Sequence, residues 1–177
     1  MRALVVYESM FGNTQQVAQA ISRGLGARVP VEVVEVGHAP QQVDDDVALV
    51  VIGGPTHAFG LSSEKTRKAA ADQAPAGVVS ATTGVREWVE CLRARRGRLL
   101  VAAFDTHIDK TWIPGAASRR LDKMMRGMGL VSLAAPTSFY VHDSMGPLVG
   151  GELERAELFG RRLGEELMSR RLAVPQA

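Results

Sequence analysis

A chain of 177 residues, 46% hydrophobic and 23% charged, has the makeup of one soluble globular domain that can bury its own core. Its formal charge of +2 is mildly basic, but Arg is interleaved with Glu and Asp through most of the chain, so nucleic acid is not an expected partner. A single cysteine and the lack of any apolar run near the ~20 residues that span a bilayer point to a cytoplasmic protein without membrane insertion.

Leu4–Tyr7 is a short apolar run that Glu8 cuts far too early for a signal peptide. Val17, Ile21 and Leu25 then fall four apart, the spacing of a helix face. Val29–Val36 is interrupted by Glu32 and Glu35 and carries Pro30 near its start, the marks of an edge strand. Asp44–Asp46 reads as a solvated turn. Val47–Ile52 and Leu99–Phe104 are continuous apolar runs, as expected of parallel strands covered on both faces. Residues 61–84 are long for one connection and are expected to hold a lid or an extra turn of helix beside a site. Val85, Trp88, Val89 and Leu92 share a helical face, with Cys91 an inert buried or half-buried thiol. The cluster Arg93–Arg98 is expected to end that helix favourably against its dipole, a docking patch being the alternative. Leu121, Met125 and Met128 mark another helix, with Met124 also core. Leu130–Val141, with Pro136, gives a fifth strand, and Leu153, Ala156, Gly160, Leu163 and Leu167 a last helix. This alternation predicts an α/β doubly wound sandwich, residues 1–177 forming one domain with 172–177 as a frayed tail.

The segment Glu8–Asn13 joins the first strand to a helix starting near Thr14. In an open parallel sheet, ligands bind beyond the carboxyl ends of the strands. A helix N-terminus offers unpaired amides and partial positive charge. Ser9, Asn13 and Thr14 add neutral donors, and Gly12 permits close backbone approach. Such a loop can hold a phosphate without Lys or Arg; the alternative is that Asn13 or Thr14 merely caps the helix. There is no GxxxxGK[ST], no GxGxxG after a strand and no GxSxG, which excludes a P-loop, a dinucleotide fingerprint and a nucleophile elbow. The four histidines and Cys91 lack metal-ligand spacing.

The run VVYESMFGNT continuing to Ile21 resembles the phosphate-loop signature of the flavodoxin family. GGPTHAFG, Gly53–Gly60, is similar to the family's second flavin loop, and FDT, Phe104–Thr106, to its third. GPLVGGELERA, Gly146–Ala156, also resembles flavodoxin-domain proteins, with no chemical role attached. The resemblance implies a five-stranded parallel sheet in order 2-1-3-4-5 with helices on both faces.

It further implies FMN as cofactor. The phosphate would lie on Ser9, Met10, Phe11, Gly12, Asn13 and Thr14. The ring would lie between Pro55, Thr56, His57, Ala58, Phe59 and Gly60 on one side and Phe104, Asp105, Thr106, His107 and Trp112 on the other. His57 stands where many flavodoxins have Trp, and Phe59 is a candidate stacking face. His107 or Trp112 would supply the outer face, and a backbone amide near Asp105 would reach the pyrimidine edge. The Ala58–Phe59 peptide is positioned to flip toward flavin N5, and the Cβ of Ala58 makes that flip costlier than Gly or Asn would. The plainer roles are a backbone hydrogen bond for His57, a turn cap for Asp105 and packing for Trp112.

Three functions follow from the resemblance: an electron carrier between redox partner proteins, an FMN-dependent oxidoreductase of the NAD(P)H:quinone or protoporphyrinogen type acting on a small quinone-like substrate, or a cofactor-free interaction module. Carrier flavodoxins are usually acidic, whereas this chain is slightly basic.

Overall fold

The computed structural model describes residues 1–57, 60–74, 77–94, 97–110 and 115–173, with side chains through Arg170. Among the described residues six strands form one sheet: β1 (Arg2–Tyr7), β2 (Val31–Glu35), β3 (Val47–Pro55), β4 (Leu100–Ile108), β5 (Val131–Ser132) and β6 (Thr137–Val141). Their pairings are parallel, in the order β2-β1-β3-β4, with β5 and β6 sharing the outer edge of β4. The fifth strand expected over 130–141 is therefore split. β5 pairs with Leu100 and Val101, β6 pairs with Phe104–Ile108, and Pro136, which has no N–H for a ladder, sits in the gap. With the two pieces counted as one, the order is the expected 2-1-3-4-5.

Among the described residues five α-helices cover the sheet: α1 (Asn13–Gly26), α2 (Glu64–Asp72), α3 (Val85–Cys91), α4 (Ala117–Gly127) and α5 (Glu152–Ala173). Successive strand side chains face opposite sides. Ala3, Val5, Leu49, Val51 and Phe104 pack with α1 and α5. Leu4, Val6, Val50, Ile52 and Val101 pack with Val85, Trp88 and Val89 of α3 and with Leu121 and Met125 of α4. Met124 and Met128 are half-buried against the same cluster, so the methionines belong to packing. Two such faces explain why the central strands read as continuous apolar runs.

Several local expectations are corrected. β3 and β4 run on to Pro55 and Ile108, so much of the second and third loop motifs lies in strand ends. The 61–84 segment, expected to hold a lid or an extra turn of helix, does hold a helix, α2, started by a capping box between Ser63 and Thr66. Cys91 is exposed because the buried face of α3 runs through Val85, Trp88, Val89 and Leu92. α3 stops at Cys91 and Arg93 follows in an extended pairing with Gln41 and Val43, so Arg93 does not close the helix; Arg95 and Arg96 of the cluster lie outside the described residues. Residues 172 and 173 belong to α5 rather than to a frayed tail. The acids Asp44 and Asp46 are exposed but ion-paired to Arg2, contacts worth about 0–1 kcal/mol each. Among the described residues no helix is long and apolar enough to cross a membrane.

Candidate functional site at the carboxyl end of the sheet

β1 delivers its chain into a tight loop that ends in Gly12, the N-cap of α1, at φ 85°. Only a residue without Cβ takes that left-handed conformation freely. The Gly12 amide donates to Ser9 Oγ at 3.1 Å, and the first ladder bond of α1 runs from Gln16 N to Gly12 O. The amides of Asn13, Thr14 and Gln15 precede that bond and open outward with the positive end of the helix dipole. Neither Asn13 nor Thr14 caps the helix. Asn13 Nδ2 donates to Met145 O at 3.0 Å, and the hydroxyls of Thr14 and Thr106 share a 2.7 Å hydrogen bond.

A second segment braces this loop. Ser80 N donates to Ser9 O at 2.8 Å, Val79 N to Met10 O at 3.0 Å, and Ser9 N to Ser80 Oγ at 3.0 Å. The Ser80 hydroxyl in turn donates to Glu35 at the end of β2. Nothing local in the sequence pointed to Ser80, because the contact spans some seventy residues.

The loop forms one wall of an open cavity of about 360 Å³. The first motif contributes Ser9, Met10, Phe11, Asn13 and Thr14, the second Pro55, Thr56 and His57, and the third Thr106 and His107. The structure thus brings all three motifs together. It adds Thr66, Ala69 and Ala70 of α2 and its C-cap Gln73, with Ile108, Val141 and Ser144. The length of the 61–84 connection was the only sequence signal for the α2 wall. Met145, whose carbonyl holds Asn13, borders the GPLVGG segment to which no role had been attached.

The side chains of two residues of the third motif are turned away from the cavity into the packed layers. Phe104 is fully buried in the core, edge-on to Phe139, and over Gly53, where a Cβ would stand 2.3 Å from its ring. Asp105 is fully buried and caps α4: its Oδ2 accepts from Ser118 N at 2.8 Å and from the Thr56 hydroxyl at 3.3 Å. The Thr56 hydroxyl accepts from Ala117 N at 3.0 Å, so both leading amides of α4 are used. The Asp105 side chain thus braces the start of α4. Gly60 is buried and exchanges backbone hydrogen bonds of 2.8 and 2.9 Å with His57. Ala58, Phe59 and Trp112 lie outside the described residues.

The only titratable groups on the described cavity wall are His57 and His107. Burial, and then the charge of Arg67, push the His57 imidazole below its ordinary value, so it is neutral at pH 7. His107 Nδ1 lies 3.5 Å from Asp105 Oδ1, with its ring edge-on to Tyr140.

Beneath the second loop, Arg67 is 3% exposed and donates to Ser62 Oγ, Thr82 O and both oxygens of Glu87, joining α2 to α3. Glu8 is fully buried beside them, and its Oε2 accepts from Val85 N at 2.8 Å. Burial pushes the Glu8 carboxyl above its ordinary value, against the opposing pull of Ser62, Val85 and Arg67. The folded state therefore holds the Glu8 proton more tightly than the unfolded chain, and this part of stability is lost as pH rises through the folded value. Glu8→Gln keeps the acceptor for Val85 and removes the titration. Its unfolding free energy relative to wild type should grow from pH 4.5 to pH 8 in urea denaturation. A difference that is flat with pH would contradict the assignment.

A family model described as flavodoxin matches residues 5–157. The chain belongs to the flavodoxin family. Membership implies FMN-based electron transfer. The fold of a flavodoxin from the domain Archaea superposes with a TM-score of 0.64 at 20% identity, covering 95% of this chain and 99% of that one. Oxidised Flavodoxin 1 from Bacillus cereus gives 0.65 at 12% identity, covering 96% and 98%. Rubredoxin oxygen:oxidoreductase from Desulfovibrio gigas gives 0.68 at 16% identity, and this chain covers 37% of its length. At such identities the likeness is one of fold. No curated protein sequence matches the chain.

Proposed function

We propose that this flavodoxin-family chain binds FMN in the cavity and transfers electrons through it. The observation that carries the reading is the neutral, donor-rich start of α1 opening into a cavity walled by the two other loop motifs. The donor set suits a phosphate dianion: outward amides of the first turn, the hydroxyls of Ser9 and Thr14, and no carboxylate on the described wall. Ser9, Met10, Phe11, Gly12, Asn13 and Thr14 would hold the phosphate. Pro55, Thr56 and His57 with Thr106 and His107 would flank the ring, a neutral His57 offering a flat face without a competing charge. Bound FMN supplies one- and two-electron chemistry.

A second reading keeps the cofactor and adds a small quinone-like substrate. It is favoured by α2, which places Thr66, Ala69, Ala70 and Gln73 along the cavity and gives it a fourth wall. Titration of the purified chain with FMN, followed by stepwise photoreduction and then by NAD(P)H addition, separates the readings. One-electron reduction in steps with no direct bleaching by NAD(P)H is the carrier result. Rapid two-electron bleaching by NAD(P)H is the enzyme result. Absence of FMN binding by a folded chain removes both and leaves an interaction module.

A further inference from the structure

We propose that Arg119, Arg120 and Lys123, on the solvent face of α4 beside the cavity wall, form a docking surface for an acidic redox protein; the redox part of this proposal rests on the flavin reading above. All three side chains are exposed. Their placement breaks three local rules at once. Arg119 and Arg120 stand in the first turns of α4, where the helix dipole disfavours cations, and that first turn contains no acid. Lys123 follows at i+4 and i+3 from them, so the like charges repel along one face. None of the three forms an ion pair with an acid of the chain, and every Asp and Glu is among the described residues. The acid of this helix, Asp122, is turned inward to Arg126 and Ser132. Local violations without internal compensation mark functional positions.

The patch is joined to the cavity. The Ala117 amide bonds Thr56, a cavity-wall residue, and the Arg120 guanidinium lies over Gly60, 3.1 Å from where a Cβ would be. Gly60 is bridged to His57 on the wall. A bound phosphate is disfavoured as occupant, because the leading amides of α4 are already taken by Thr56 and Asp105. The cations instead spread along a convex helix, which suits the complementary surface of a protein. The neighbouring α3 adds Arg86, whose guanidinium donates to Leu61 O and Ser62 O in the same rim.

The test measures binding of a plant-type [2Fe–2S] ferredoxin, used as the acidic probe, by thermophoresis at low and high salt. Wild type should bind at low salt and weaken steadily as salt rises. R119E/R120E/K123E should lose affinity at least tenfold with an undiminished thermal midpoint, since acids suit a helix start. R119Q/R120Q/K123Q, which adds no new charge, should show an intermediate loss and serves if the first variant fails to fold. Equal affinity of wild type and variants, or binding that ignores salt, overturns the proposal. So does binding of duplex DNA or anionic vesicles through these residues with none of ferredoxin. FMN titration of the same proteins should be unchanged by the substitutions. If no FMN binds while ferredoxin docking stays charge-dependent, the docking surface stands and the flavin reading falls.

Discussion

Gly160→Ala lowers the unfolding free energy by about 3 kcal/mol and weakens the proposed FMN binding with it. A Cβ at Gly160 would stand 2.1 Å from Ile21 O, and one at Gly24 would stand 2.0 Å from Glu157 O. α1 and α5 thus cross with their backbones in contact, each helix supplying a glycine. Neither obstruction is a side chain that can rotate away, so the added methyl must separate the helices. Separation exposes Ala20, Ile21, Leu25 and Leu163, all buried at this crossing. It also shifts α1, whose first turn carries the proposed phosphate donors, so a packing defect far from the cavity reaches the cofactor. Gly26→Ala is the control. It has open space around it and lies in the last turn of the same helix, so it should be neutral or stabilising by up to ~1 kcal/mol. Chemical denaturation of the two variants decides the matter, and a Gly160→Ala protein as stable as wild type would refute the backbone-contact crossing.

Asn13→Asp removes the proposed FMN binding while leaving the chain folded. The substitution is isosteric, and it places a carboxylate in the first turn of α1. The carboxylate oxygen that replaces Nδ2 faces Met145 O acceptor to acceptor, which costs about 1–3 kcal/mol, and the new charge regains ~0.3–1 kcal/mol from the helix dipole. Against a bound phosphate the sign reverses. Two like unit charges about 4 Å apart at an effective dielectric near 20 repel by about 4 kcal/mol, on the order of 10³ in affinity. Asn13→Ala, which loses the donor without adding charge, should cost on the order of tenfold. Fluorescence titration with FMN, beside thermal melts, reads both. An aspartate variant that binds FMN as wild type does would mean that the phosphate is not held at the start of α1.

The three loop motifs were legible because each is a short run of special residue types at a strand end, and local order is enough to find them. Phe104 and Asp105 show the limit of that reading. Both belong to a recognisable motif, yet in a strand that continues to Ile108 their side chains point into the two packed faces, one to the Phe139 cluster and one to the start of α4. The exposure of Cys91 and the stop before Arg93 escape a local reading for a related reason. A helix of seven residues ends too soon for periodicity to fix its boundary, so the exposed side and the stop were both misread.

The sequence by itself determined the alternation of strands and helices, the doubly covered sheet and the strand-end loops, because these depend on hydrophobic period and on glycine at fixed local positions. Only the tertiary structure decided that Ser80 and Glu35 brace the first loop, that α2 walls the cavity, that Asp105 supports α4, and that α4 begins with unpaired cations beside the second loop. Those facts rest on contacts between residues far apart in the chain, and a local pattern carries no record of which distant partner will satisfy a given donor, acceptor or charge.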